Sequence, residues 1–223
     1  MRTIFKVSIL VFSFAGLAWA SNTWESKPYT QWSQKDVWNV LNHSPWVQKT
    51  AVRVTWPEPS ENDRGRESKG KPADSRRLDV IEARWVSSKV IREALVRQDI
   101  LWGKMTKEQG EHAVSHVNPA YLMVLFGEDL SPFRKMSDAD AAKAAYIEGK
   151  ETKVKAVAVQ AKIERAQNGR VSVVIFAFPR TVAGKPVIGS REKQLDFRLR
   201  ANRLNVNMMF NTQKMKTKSG LDL

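Results

Sequence analysis

No cysteine occurs anywhere in the chain, which excludes disulfides, thiol catalysis and cysteine-ligated metal centres. Stability must therefore come from a buried core. Only three histidines are present, enough for one small imidazole cluster at most. There is no Gly-x-Ser-x-Gly elbow and no complete phosphate-cradling glycine loop, so those hydrolase and nucleotide-binding signatures are missing. No repeat of fixed period is visible. Long apolar runs are missing too. After the first twenty residues the nearest approach is 171–178, well short of the roughly 20 needed to span a bilayer.

What is there begins with a leader. Arg2 and Lys6 give a basic start, residues 7–17 a short apolar run, and Ala18-Trp19-Ala20 a small-x-small site before Ser21. This predicts a cleavable export signal over residues 1–20 and a periplasmic or secreted mature protein, with one domain over 21–223. No lipid anchor is expected, since there is no cysteine to carry it. Cleavage takes two positive charges, Arg2 and Lys6, from a total of +14 and leaves +12. That balance favours anionic partners, such as acidic envelope polymers, lipid head groups or an envelope protein, and is equally met by a solvated basic surface. Nucleic acid is not an expected partner, because no recognised motif accompanies the charge and export removes the usual target.

Ser33 can cap a helix to about Asn42 with Val37, Val40 and Leu41 on its inner face and Trp38 alongside, and Ser44-Pro45 stops it. Residues 47–56 alternate as a half-buried strand. Residues 57–77 contain no large apolar side chain and are expected to form a mobile loop between that strand and a second over 78–86. Ser88 opens a helix striped by Val90, Ile91, Ala94 and Leu95, and Thr106 to Gln109 has capping-box spacing for a short helix weakened by Gly110. Residues 120–126 read as a buried strand, and Ser131-Pro132 as a turn or short helix. Ser137 opens an alanine-rich helix to about Glu148.

Asn168-Gly169, between apolar stretches 154–166 and 170–178, predicts a hairpin with positive φ at both turn positions. Ala183-Gly184-Lys185-Pro186 marks a further reversal. Leu195, Phe197 and Leu199 then alternate with Asp196, Arg198 and Arg200, followed by the alternation of Leu204, Val206, Met208 and Phe210. The expected fold is α+β: a largely antiparallel sheet with a C-terminal four-stranded meander and three or four helices mostly on one face.

The run Trp32-Ser33-x-Lys35-Asp36-Val37-x-x-Val40-Leu41-x-x-Ser44-Pro45-Trp46, with Arg84-Trp85-Val86-Ser87 and Phe210-x-x-x-Lys214-Met215, resembles a group of uncharacterised exported bacterial proteins, typically from soil bacteria. Some of them carry a GWxTD-type motif, at whose place this chain has Gln31-Trp32-Ser33-Gln34-Lys35. The resemblance extends over most of the mature chain. It implies export and brings no activity with it.

Several residues carry candidate chemistry. His112 and His116, four apart and one turn beyond Glu108, would share a helix face as a metal pair does, but the glutamate of the zinc-protease pattern is missing. His43 beside Ser44 is adjacency without a dyad. Glu128 and Asp129 follow a strand, where acid-base pairs occur, but such an acidic pair is more often plain surface. The N-terminal tryptophans are either core pieces or stacking faces. Trp24, Trp32 and Trp46, which flank the first helix off its apolar stripe, are the binding-surface candidates. Arg198 and Arg200, with Arg203, Lys214, Lys216 and Lys218 nearby in sequence, form a candidate basic patch. This inventory favours a non-catalytic binding or assembly protein without cofactor or metal. The alternative is a metal- or carboxylate-dependent hydrolase.

Overall fold

The computed structural model describes residues 23–54, 77–128 and 130–223. The expected leader, residues 57–76 of the expected loop, and Asp129 lie outside the described residues. The helices are α1 (Thr23–Ser26), α2 (Gln34–His43), α3 (Lys89–Leu101), α4 (Lys107–Ser115) and α5 (Asp138–Ala144). The longer strands are β1 (Val47–Val54), β2 (Arg77–Trp85), β3 (Tyr121–Gly127), β4 (Ala145–Gly149), β5 (Lys155–Val157), β6 (Gln160–Arg165), β7 (Val171–Phe178), β10 (Gln194–Ala201) and β11 (Leu204–Asn211). Two small hairpins complete the set: β8 (Thr181–Val182) with β9 (Lys185–Pro186), and β12 (Lys216–Thr217) with β13 (Gly220–Leu221).

The architecture is α+β with antiparallel sheets and a C-terminal meander of strands. One sheet has the order β1-β2-β3-β7-β6 and the other β11-β10-β4-β5, so the last third of the chain serves both sheets. Residues 155–165, expected as part of one strand, pass from one sheet to the other. The Ala158 N–H donates to Ala145 O (3.0 Å), and the next N–H, of Val159, donates to Ala177 O (2.8 Å). Such a switch makes the corner between packed sheets. On the opposite side β11 lies beside β1. Between the sheets sits the core: the Phe197 ring is 6.1 Å from Phe176 and 6.3 Å from Phe178, and Trp85 meets Phe210 edge-on at 5.7 Å.

Local chemistry sets the helix starts. Ser33 and Asp36 form a reciprocal capping box on α2, Thr106 and Gln109 another on α4, and Ser88 and Ser137 cap α3 and α5. Gly110, expected to weaken α4, lies where the helix meets α3. A Cβ there would stand 2.7 Å from Val96 Cγ1 and 2.9 Å from Ile100 Cδ1. Trp38, expected beside the apolar face of α2, is instead exposed.

Two boundaries differ from the sequence reading. α5 ends at Ala144, because residues 145–149 bury alternate side chains and pair with β10 and β5. Alternation and the ladder override alanine's helix propensity. In the β6–β7 turn only Gly169 has positive φ (+74°), with its N–H bonded to Ala166 O (2.8 Å). This is a three-residue loop closing on a left-handed glycine, not a two-residue turn. The true two-residue turn is Ala183-Gly184, both left-handed (φ +49° and +75°).

Candidate functional site

The tryptophans build the core of the N-terminal region. Trp32 is fully buried, with Nε1 donating to Lys27 O (3.1 Å) and its own carbonyl accepting from Arg97 Nε (2.8 Å). Trp46 is also fully buried and donates from Nε1 to Asp222 O (2.5 Å), while Trp24, half-buried, packs edge-on against it at 5.2 Å. The Asp222 carboxylate in turn accepts from the Lys89 and Val90 N–H groups (2.7 and 3.0 Å) and caps α3. Burial, first, raises its pKa above the ordinary carboxyl value. Trp32 and Trp46 therefore correct the surface expectation: they tie the N-terminal segment, α3 and the C-terminal hairpin together. Trp24 alone of the three borders a recess, about 390 Å³ between its segment and β12–β13, also lined by Lys89, Glu93, Lys218 and Asp222.

The histidines do not meet as the spacing suggested. His116 is the C-cap of α4 with extended backbone (φ −69°, ψ 118°), so it leaves the helix before sharing a face with His112. Among the described residues no three His, Asp or Glu side chains gather as a metal ion requires. His43 is exposed against the Trp38 ring whereas Ser44 is buried, and the pair forms no hydrogen-bonded dyad. Glu128 is an exposed residue whose carbonyl accepts from Arg170.

Two carboxylates that the sequence did not single out do come together. Glu192 is buried and accepts the N–H groups of Glu151 (2.7 Å) and Thr152 (3.2 Å), while Glu151 accepts that of Lys193 (2.9 Å). Burial first, and then the hydrogen bond with Glu151, raises the Glu192 pKa. Both Glu192 oxygens accept backbone N–H groups of the turn they hold, and the exposed Glu151 accepts one in return, so the pair ties two loops together.

The outer face of the four-stranded sheet is a polar surface whose geometry is specified by strand register. β10 buries Leu195, Phe197, Leu199 and Ala201 and turns Arg198 and Arg200 outward, as the alternation predicted. β11 presents Asn205, Asn207, Met209 and Asn211 on the same side. Register aligns Asn207, Arg198, Tyr146 and Val157 in one row and Met209, Asp196, Glu148 and Lys155 in the next. Rows of this kind are about 4.8 Å apart from strand to strand. Lys155 Nζ stands 3.8 Å from the Tyr146 ring centroid, and Arg198 Nη2 is 3.2 Å from Asp196 Oδ2. The Asp196 carboxylate first, then Tyr146, raises the Arg198 pKa and keeps it charged.

Arg203 is exposed in the β10–β11 turn beside Asn202 (φ +52°), at the end of the face where Arg200 lies. Lys214 follows the far end of β11, with Lys216 and Lys218 in the C-terminal hairpin, so these lysines do not join the arginines. The patch is thus Arg198, Arg200 and Arg203, graded toward the turn. Among the described residues Arg200 and Arg203 carry no ion pair. Tyr146, Lys155 and the asparagines complete it. β11's alternation of asparagine with apolar residues was a readable sign, and Tyr146 was hidden by its assignment to a helix.

Fold and surface together define an α+β protein of two antiparallel sheets that leaves one sheet face polar and open. In comparisons with models of protein families, with curated proteins and with solved structures, none matches the chain. Among the described residues no helix is long and apolar enough to cross a membrane.

Proposed function

We propose that the chain is an exported, non-catalytic binding protein that holds acidic polymer of the cell envelope against the outer face of the β11-β10-β4-β5 sheet. The observation that carries this reading is the row of Arg198 and Arg200, exposed beside the fully buried row of Leu195, Phe197 and Leu199. Fixed backbone holds the two guanidinium stems at the regular spacing of a strand, and Arg203 extends the positive end. Planar guanidinium groups pair with carboxylates and phosphates in a fork geometry that lysine lacks. The Tyr146 ring and the carboxamides of Asn205 and Asn207 add contacts suited to hydroxyl-rich chains. Export rests on the leader pattern of residues 1–20 and on the resemblance to exported proteins.

The test is retention of the mature protein on an immobilised acidic polysaccharide. Retention should fall steeply with salt, because exposed charges are screened over about 10 Å at 0.1 M. Replacing Arg198 and Arg200 together by serine should weaken binding roughly two- to tenfold, the scale of two exposed charge contacts, while His112→Ala leaves it unchanged. Equal retention of the arginine variant and the unaltered protein would end this reading.

A further inference from the structure

We propose a second contact surface, independent of the sheet face: the tip between α3 and α4 inserts into the head-group region of an anionic lipid leaflet. Leu101 is 41% exposed and Trp102 53% exposed, side by side at the end of α3. The corner that carries them is closed by its own backbone. Gly103 (φ +69°) donates to Ile100 O (3.1 Å), and Lys104 to Asp99 O (2.9 Å), the double bond of a Schellman ending. Such endings commonly wrap an apolar side chain back onto the helix. Here the residue in that place is Lys104, and its Nζ lies over the Trp102 ring at 4.5 Å. Folding therefore leaves Leu101 and Trp102 uncovered. The tip also projects into open space, since a Cβ on Gly103 would meet nothing within 4 Å.

An exposed leucine and tryptophan with lysine on the ring is the chemistry of a lipid interface. The indole sits at head-group depth and the ammonium reaches phosphate. Lys104 is the cation at the ring, Lys107 being paired with Glu111 (4.0 Å), and the chain that remains after cleavage of the leader carries a net +12. Charge complementarity thus points to an anionic leaflet.

The experiment uses the full mature chain with vesicles of phosphatidylcholine, alone or mixed with phosphatidylglycerol, some carrying brominated acyl chains. Sedimentation measures binding, and bromine quenching of tryptophan fluorescence reports insertion. The unaltered protein should bind the mixed vesicles and be quenched. Leu101→Ser with Trp102→Ala, checked for native fold by circular dichroism, should bind at least about tenfold more weakly and lose the quenching, the scale of removing one buried aromatic contact. Trp38→Ala, at the other strongly exposed tryptophan of the helices, should change neither readout. Arg198→Ser with Arg200→Ser should keep the quenching, which separates this surface from the sheet face. The proposal is overturned if the unaltered protein does not bind, if the tip variant binds as well as it does, or if the Trp38 or double-arginine variant loses insertion to the same degree.

Discussion

Asp36 joins the N-terminal segment to α2. Its Oδ2 accepts from Lys27 Nζ (2.7 Å), from the Ser33 N–H (2.8 Å) and from the Ser33 hydroxyl (2.6 Å). The Lys27 bond first, then that of the Ser33 hydroxyl, holds its pKa at about 2 against an ordinary 3.8. A carboxyl depressed in the folded state contributes stability above its unfolded value and loses it as pH falls through the folded value. Stability should therefore decline between pH 3.8 and about 2, and Asp36→Asn should remove that part of the decline, as read from urea midpoints across the window. The tryptophans belong to the same scale. Their types and positions were legible, but burial was not, because a residue beside an apolar stripe is covered only when a distant segment arrives. Trp46 is covered by residue Asp222, 176 positions away, a relation that no local pattern records.

At the scale of elements, capping chemistry was the most readable feature. Ser33, Ser88, Thr106 and Ser137 all cap the helices that they were expected to open. Helix ends were less readable where a strand follows directly, as at Ala144 and Ala145, since alanine serves either state and the partner strand β10 decides. Gly110 illustrates the limit of propensity. Alanine at a helix interior is worth about 1 kcal/mol over glycine. The added methyl would meet Val96 and Ile100 at under 3.0 Å, and overpacking costs about 1–3 kcal/mol. Gly110→Ala should thus be a net loss of about 1 kcal/mol, seen as a lower urea midpoint with unchanged slope, and a rise in midpoint would show that α3 and α4 yield at that contact.

Over the whole molecule, the pattern of strands was legible and their division between two sheets was not. Alternation specifies which side of a strand is buried, yet the same pattern suits one sheet or a pair whose inner faces meet, and the handover at Ala158 and Val159 rests on two backbone bonds. The candidate site was legible to the same degree. Arg198 and Arg200 were placed correctly on an outward face, while Tyr146 and Lys155 reach that face only through pairing of β4 with β10 and β5. Net charge drew attention to the C-terminal lysines, but register separates Lys214 from the arginines by the length of β11. The central claim is that the outer face of this sheet is the binding surface, and its most direct test is a titration of isotope-labelled protein with a soluble acidic oligosaccharide, followed by amide chemical shifts. Shifts should concentrate in residues 198–207 and around Tyr146, strongest toward Arg200 and Arg203, and should vanish in high salt. Shifts concentrated elsewhere, for example along the recess between Trp24 and Lys218, or none at low salt, would contradict the account.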